Sequence, residues 1–143
     1  MAVKTYNPKK VAVVVGGPTG AVMSGFAEGE FVTVTMDEDK WELKVGTDGE
    51  GTRSKQNNNS ATVKIMLMQS SDSNLVLQGF LNSDKLSDAG IFPLMIKDSS
   101  GRSLYMAEQA WIQKQPEAKF SKGVETREWT IRTDNMIPLE GGN

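Results

Sequence analysis

Gly16-Gly17-Pro18-Thr19-Gly20 follows a Val-rich segment, where a phosphate-binding loop would stand. Such a loop needs a Gly-Lys-Ser/Thr ending and a helix whose N-terminus faces the phosphate. Neither is present, and the next residues continue a β pattern, so the run reads as a turn. Asp37, Glu38 and Asp39 could offer oxygens to a divalent cation. The alternating Asp/Asn spacing of a calcium loop, with its Gly and distant Glu, is absent, so they read as a solvated turn. Trp41, Trp111 and Trp129 could form a sugar platform, but each lies in an alternating segment where core packing is the ordinary role. A carboxylate pair for glycoside hydrolysis comes together only in space, and nothing in the placement of the 18 acidic residues marks one.

The chain has 143 residues, no Cys and no His. Disulfides, Cys-ligated zinc, and Ser-His-Asp or Cys-His catalysis are therefore excluded. No catalytic, cofactor or metal residue is assigned. Sixteen basic and 18 acidic side chains give a net charge of -2, without the basic excess that a phosphate-neutralising surface needs. No apolar run is long enough to span a bilayer, and the polar N-terminus lacks a secretory signal, so cytoplasmic synthesis is expected.

Residues 46–60 contain no apolar side chain, yet lie between two strand-like segments. So long a connection without structure of its own is uncommon inside a compact domain. Asp48-Gly49 is a hairpin-type turn signal. Thr47, Asp48, Glu50, Arg53, Lys55, Gln56, Asn57 and Asn58 are the candidate inter-subunit contacts, able to hydrogen-bond or ion-pair with a neighbour. A mobile loop without a role fits the same composition equally well.

The flanking elements must position this loop. Strands are expected at residues 10–15, 21–26 and 31–36. Residues 41–45 alternate as a strand, with a short helix as the other reading. Residues 62–67 form a further strand. Residues 71–86 make the one convincing helix, with Ser71 or Ser73 as cap, Val76/Phe80 and Leu77/Leu81 as apolar pairs, and Gly90 after its end. Residues 91–97 form a strand that Pro93 confines to an edge or a bulge. A hairpin returns through 104–113, residues 118–121 continue the sheet, and 126–133 close the core. Met66, Met68, Met95 and Met106, in or beside strands, suit core or subunit contacts. The order argues for one domain over residues 1–143, mainly β: an antiparallel sandwich or barrel with one flanking α-helix and loose termini at 1–9 and 136–143.

The chain resembles the tail tube proteins of contractile-tailed bacteriophages. The likeness lies in Thr-Tyr-Asn-Pro-Lys-Lys-Val (residues 5–11), Ser-Gly-Phe-Ala-Glu-Gly (24–29), Phe-Val-Thr-Val (31–34) with Asp37-Glu38-Asp39, and Val-Gly-Thr-Asp-Gly-Glu-Gly (45–51). It continues in Phe-Pro-Leu-Met-Ile-Lys-Asp (92–98), Ala-Trp-Ile (110–112) and Arg-Glu-Trp-Thr-Ile (127–131). The ordered set, covering about residues 5–135, is what is specific. It implies a structural virion protein, not an enzyme, without cofactors. Such protomers form hexameric rings that stack into a hollow tube for genome ejection, with long loops clasping neighbouring subunits. The implied partners are further copies of the chain, the tail sheath, the baseplate or tube initiator and the tail terminator. The tape-measure protein and genomic DNA pass through the lumen without sequence-specific binding. The implied location is the virion tail, assembled in the host cytoplasm. Three other readings stand beside this one: a ring protein of a bacterial contractile injection or secretion system, a β-sandwich ligand-binding module, and a hydrolase built on Asp and Glu.

Overall fold

A computed structural model of the protein describes residues 3–16 and 20–142. The centre of the glycine turn expected at residues 16–20 therefore lies outside the described residues. The elements are β1 (Val11–Val15), β2 (Ala21–Val22), β3 (Val32–Met36), β4 (Trp41–Val45), β5 (Gly51–Lys55), β6 (Ala61–Met68), α1 (Ser73–Ser87), β7 (Phe92–Asp98), β8 (Leu104–Lys114), β9 (Thr126–Thr133) and β10 (Met136–Leu139).

Alternation decides which way each strand faces. In β6, Ala61, Val63, Ile65 and Leu67 are fully buried, while Thr62, Lys64, Met66 and Met68 point outward. Removing a Val, Ile or Leu side chain from water is worth about 1.5–3 kcal/mol, and a one-residue slip would turn all four outward. Val13 and Val15 on β1, Phe92 and Leu94 on β7, and Trp129 and Ile131 on β9 complete the same core.

Among the described residues, eight strands form one antiparallel sheet in the order β2-β1-β7-β8-β9-β6-β3, and β10 extends β9 along the same edge of β8. Thr133 faces Ala110 and Met136 faces Ala107, so β9 and β10 keep one register across the break. The chain after β2 curls the sheet back on itself. Met23 donates to the Val13 carbonyl on β1, whereas Phe26 bridges Leu67 and Ala27 donates to the Met66 carbonyl on β6. One segment thus ties the two ends of the sheet into a barrel-like wall. The architecture is mainly antiparallel β with one helix, as expected.

Helix α1 lies at the Met68 end of β6. Asn74 Nδ2 donates to the Met68 carbonyl, and Asn74 Oδ1 accepts from Trp129 Nε1 at 2.9 Å. Phe80 packs against Phe92 with ring centroids 4.6 Å apart. The Ser71 hydroxyl accepts the Ser73 N–H at 3.2 Å, and the Ser73 hydroxyl accepts the Ser24 N–H at 2.9 Å, so both serines fasten the helix start. Asp72 makes no side-chain cap bond. The helix ends at Asp88, whose φ is +56°, and Gly90 follows two residues later, as expected. Gly90 is needed for space, since a Cβ there would collide with the Phe80 carbonyl and Asp84.

Several expectations need correction. Only Ala21–Val22 of the 21–26 segment is strand, and residues 118–121 form none. The 136–143 tail is not loose throughout: Met136 is buried and β10 pairs with β8. Beyond it, the Tyr105 hydroxyl donates to Glu140 at 3.4 Å. At the other terminus, Asn7 accepts the Lys9 N–H and caps a short 3-10 turn, Pro8–Lys10. Pro93 is not on an edge, because β7 lies between β1 and β8. It sits in a bulge: Phe92 faces Ala110 and Leu94 faces Ala107, so Glu108 and Gln109 oppose Pro93 alone. Lacking an N–H, proline is tolerated where the ladder is already interrupted.

Candidate assembly surfaces

Among the described residues, β4 and β5 pair only with each other, with Trp41 opposite Lys55, Leu43 opposite Arg53 and Val45 opposite Gly51. Residues 41–45 are therefore strand and not helix, and the 46–60 segment is not a loop without structure. It contains β5. Sequence reading missed β5 because Gly-Thr-Arg-Ser-Lys has no apolar alternation, and neither of its faces is buried. The turn closes through Gly46 N–H to the Glu50 carbonyl at 2.8 Å and Gly49 N–H to the Gly46 carbonyl at 3.0 Å. Asp48 Oδ1 accepts the Glu50 N–H at 3.1 Å, and Gly49 takes a φ of +89° that a side chain would resist.

The hairpin stands off the barrel as an arm about 16 Å long, and every residue of β4 and β5 is exposed. Directly paired residues share a face. One face carries Trp41, Leu43 and Val45, which are 45%, 68% and 60% exposed, together with Arg53 and Lys55. The Arg53 guanidinium lies 4.0 Å over the Trp41 ring. The other face carries Glu42, Lys44, Thr52 and Ser54. An isolated two-stranded hairpin is marginal in water, so an arm with an uncovered apolar stripe gains from a partner surface.

The base of the arm is fastened. Asp37, just after β3, accepts from Ser60 Oγ at 2.7 Å, Thr62 Oγ1 at 2.9 Å and Arg132 Nη2 at 2.6 Å. The Ser60 hydroxyl above all, then Thr62 and Arg132, hold its carboxyl below the usual value of 3.8, against the opposing effect of partial burial. Arg132 Nε is shielded from water without an acceptor among the described residues. Lys40 Nζ donates to Asn59 Oδ1 at 3.0 Å, and the Gln56 N–H to the Lys40 carbonyl at 2.8 Å.

The expected contact residues fall into three places. Thr47, Asp48 and Glu50 form the tip, Arg53 and Lys55 lie along the shaft, and Gln56, Asn57 and Asn58 lie at the return. Two of the last group bond within the chain: Gln56 Nε2 donates to Glu42 at 3.4 Å, and Asn58 Oδ1 accepts the Ser60 N–H at 3.0 Å. Trp41, Leu43 and Val45 were missed as surface residues, because alternation looks the same on a half-buried strand and on an unsupported one.

The tryptophans make no common platform. Trp129 is in the core, Trp111 points outward from β8 and is half-buried, and Trp41 is on the arm. Glu38 and Asp39 are exposed, and no cluster of metal-ligating side chains occurs among the described residues. Met23 and Met136 are core residues, whereas Met66, Met68, Met95 and Met106 lie on outward faces.

The outer wall has two characters. On β3, β6 and β9, Thr33, Lys64 and Thr130 stand in one cross-strand row and Thr35, Thr62 and Arg132 in the next. On the other side, Val22, Val14, Met95, Met106 and Ile137 form a single apolar row across five strands.

A sequence profile of the bacteriophage PhiTE tail tube protein matches residues 3–138, nearly the whole chain. The chain belongs to this phage tail tube family. It is also 35% identical over 144 residues to "Structural protein ORF10" of Pseudomonas phage KPP10, covering 97% of this chain and 83% of that one. Among solved structures, it is similar to the sheath/tube terminator of an extracellular contractile injection system, PVC, in the extended state. The TM-score is 0.66 at 14% identity, covering 98% of this chain and all of the other. The tube-terminating cap of the anti-feeding prophage gives 0.61 at 10% identity, over 97% and 94% of the two chains. A chain of the extended PVC sheath-tube complex gives 0.58 at 14%, over 94% and 91%. At these identities the structural likeness speaks to the fold. The family membership makes the chain a structural phage tail protein and not an enzyme.

Proposed function

We propose that this tail tube family member assembles into hexameric rings stacked as the hollow inner tube of a contractile tail, the conduit for genome ejection. The observation that carries the reading is the arm. A hairpin with every residue exposed and an apolar stripe on one face is suited to grip another subunit. In this reading Thr47, Asp48, Glu50, Arg53, Lys55, Gln56, Asn57 and Asn58 contact the neighbouring copy.

Other features agree. Among the described residues β3 pairs only with β6, which leaves its outer edge available to extend the sheet into a neighbour. Closed rings remove such edges, and contacts between different patches of identical subunits propagate rings or stacks. A net charge of -2 would let DNA pass without being held. The partners would be the sheath outside, the tube initiator at the baseplate and the tail terminator. The tape-measure protein and then the genome would occupy the lumen. Assembly would take place in the host cytoplasm, and the chain would act as one domain.

Electron microscopy of the purified protein tests this. Rings or tubes of uniform width are expected. A protein that stays monomeric at high concentration, with no ordered assembly on incubation, overturns the reading.

A further inference from the structure

We infer that the apolar stripe of the arm seats on the outer face of β1, β7 and β8 of a second copy of this chain, beside Glu108. This deepens the assembly reading above and rests on it. The acceptor is the five-strand row. Val14 faces Val22 on one side and Met95 on the other, Met95 faces Met106, and Met106 faces Ile137. Val22, Met106 and Ile137 are 63%, 42% and 53% exposed. Five strands span about 19 Å, enough for the arm's ladder to lie across them.

At the centre of the row is a depression of about 370 Å³, lined by Val14, Pro93, Leu94, Met95, Met106 and Ala107, with Glu108 at its side. The bulge opposite Pro93 puts Glu108 and Gln109 together on β8, and both are exposed. The volume can take an aromatic or branched side chain, and two methionines let the floor adapt to what enters. The arm offers matching chemistry: Trp41, Leu43 and Val45 on the face that also carries Arg53 and Lys55. Cations flanking an apolar stripe suit a groove with a carboxylate at its side.

The arm does not cover its own chain's row. Val22, Met106 and Ile137 stay exposed, and among the described residues β4 and β5 pair with none of the strands that carry the row. Donor and acceptor are different patches, so each copy can give an arm and receive one, and the contact repeats around or along an assembly. A single seat of this size is small, and repetition through many copies supplies the avidity.

The chain has no Cys, which allows a clean cross-linking test. Leu43→Cys combined with Met106→Cys, assembled and then oxidised, should give a ladder of disulfide-linked multimers on a non-reducing gel. Leu43→Cys with Thr130→Cys, on the polar outer face, should not. Independently, Arg53→Glu should cut sedimentable assembly by about tenfold, and adding Glu108→Arg should restore it to within about twofold. Both substitutions are at exposed positions, and circular dichroism checks that the fold persists. Assembly without the 43–106 cross-link and without charge-swap rescue overturns this seat while the tube reading stands. Cross-links between Met106→Cys and its own counterpart also overturn it, by placing another copy's row where the arm should be. A wild-type chain that never assembles overturns the tube reading itself, and the seat with it.

Discussion

Asp37 and Arg132 are 95 residues apart in sequence, yet the carboxylate accepts from the guanidinium at 2.6 Å. The contact joins the point where β3 gives way to the arm to the outer face of β9. With Ser60 and Thr62 it forms the hinge region from which the hairpin projects.

Asp37→Ala removes the acceptor for three donors and leaves the Arg132 charge uncompensated. The barrel core is untouched, so a loss of about 1–2 kcal/mol is expected in chemical denaturation. Amide hydrogen exchange should accelerate across residues 38–58 well before it changes in β6. Equal acceleration in both would show that the network supports the barrel and not the arm.

The same carboxylate sets a pH dependence. Its pKa is lowered from 3.8 on folding, so its contribution is fully present above the unfolded value and is lost as pH falls through the lower folded one. Wild type should be more stable than Asp37→Asn at pH 7, and the gap should close as pH falls below 3.8. Melting curves from pH 7 downward read this directly. A gap that widens on acidification reverses the sign and rejects the assignment.

Deleting residues 52–58 should leave the barrel folded and impair ring stacking. That cut removes most of β5 and leaves β4 unpaired, with its stripe still exposed. Replacing residues 41–55 with a short Gly-rich turn is the cleaner variant. It should keep the circular dichroism of a β protein while electron micrographs lose their tubes. Normal tubes from either variant would remove the arm from the assembly.

Tryptophan fluorescence separates arm from core. In single-tryptophan variants of the dispersed protein, Trp41 should be quenched strongly by acrylamide and Trp129, 3% exposed, only weakly. Assembly should protect Trp41 and leave Trp129 unchanged. Continued quenching of Trp41 in tubes would place the stripe in water.

Replacing Asp88 with Gly should stabilise the fold by about 0.5–1 kcal/mol, since Asp88 ends α1 at a φ of +56° that glycine adopts without penalty. Thermal melting gives the sign.

Much of the barrel is legible in the chain. Val63, Ile65 and Leu67 alternate, Leu77 and Leu81 repeat at helical spacing, and each prefers burial wherever the rest of the fold puts the core. The candidate site is legible only in part. The polar composition of residues 46–60 marks something that does not belong to the core, and Asp48-Gly49 marks its turn. Pairing of Gly51–Lys55 with Trp41–Val45 left no trace in hydrophobic pattern, because no side of the ladder is buried. β10 was equally hidden: a short segment containing Pro138 becomes a strand only because β8 extends past the end of β9 and leaves its edge open.

The residues themselves determine a mainly β chain without thiol or imidazole chemistry, and their ordered motifs place it in a tail tube family. Those are properties of local alternation and of side-chain inventory, which no folding step can change. Tertiary structure alone decided that Trp41, Leu43 and Val45 face water and that Val14, Met95 and Met106 form one continuous row. It also brought Arg132 to Asp37. The physical reason is register: alternation says that a strand has two faces, but only its neighbours decide which face is covered and by what.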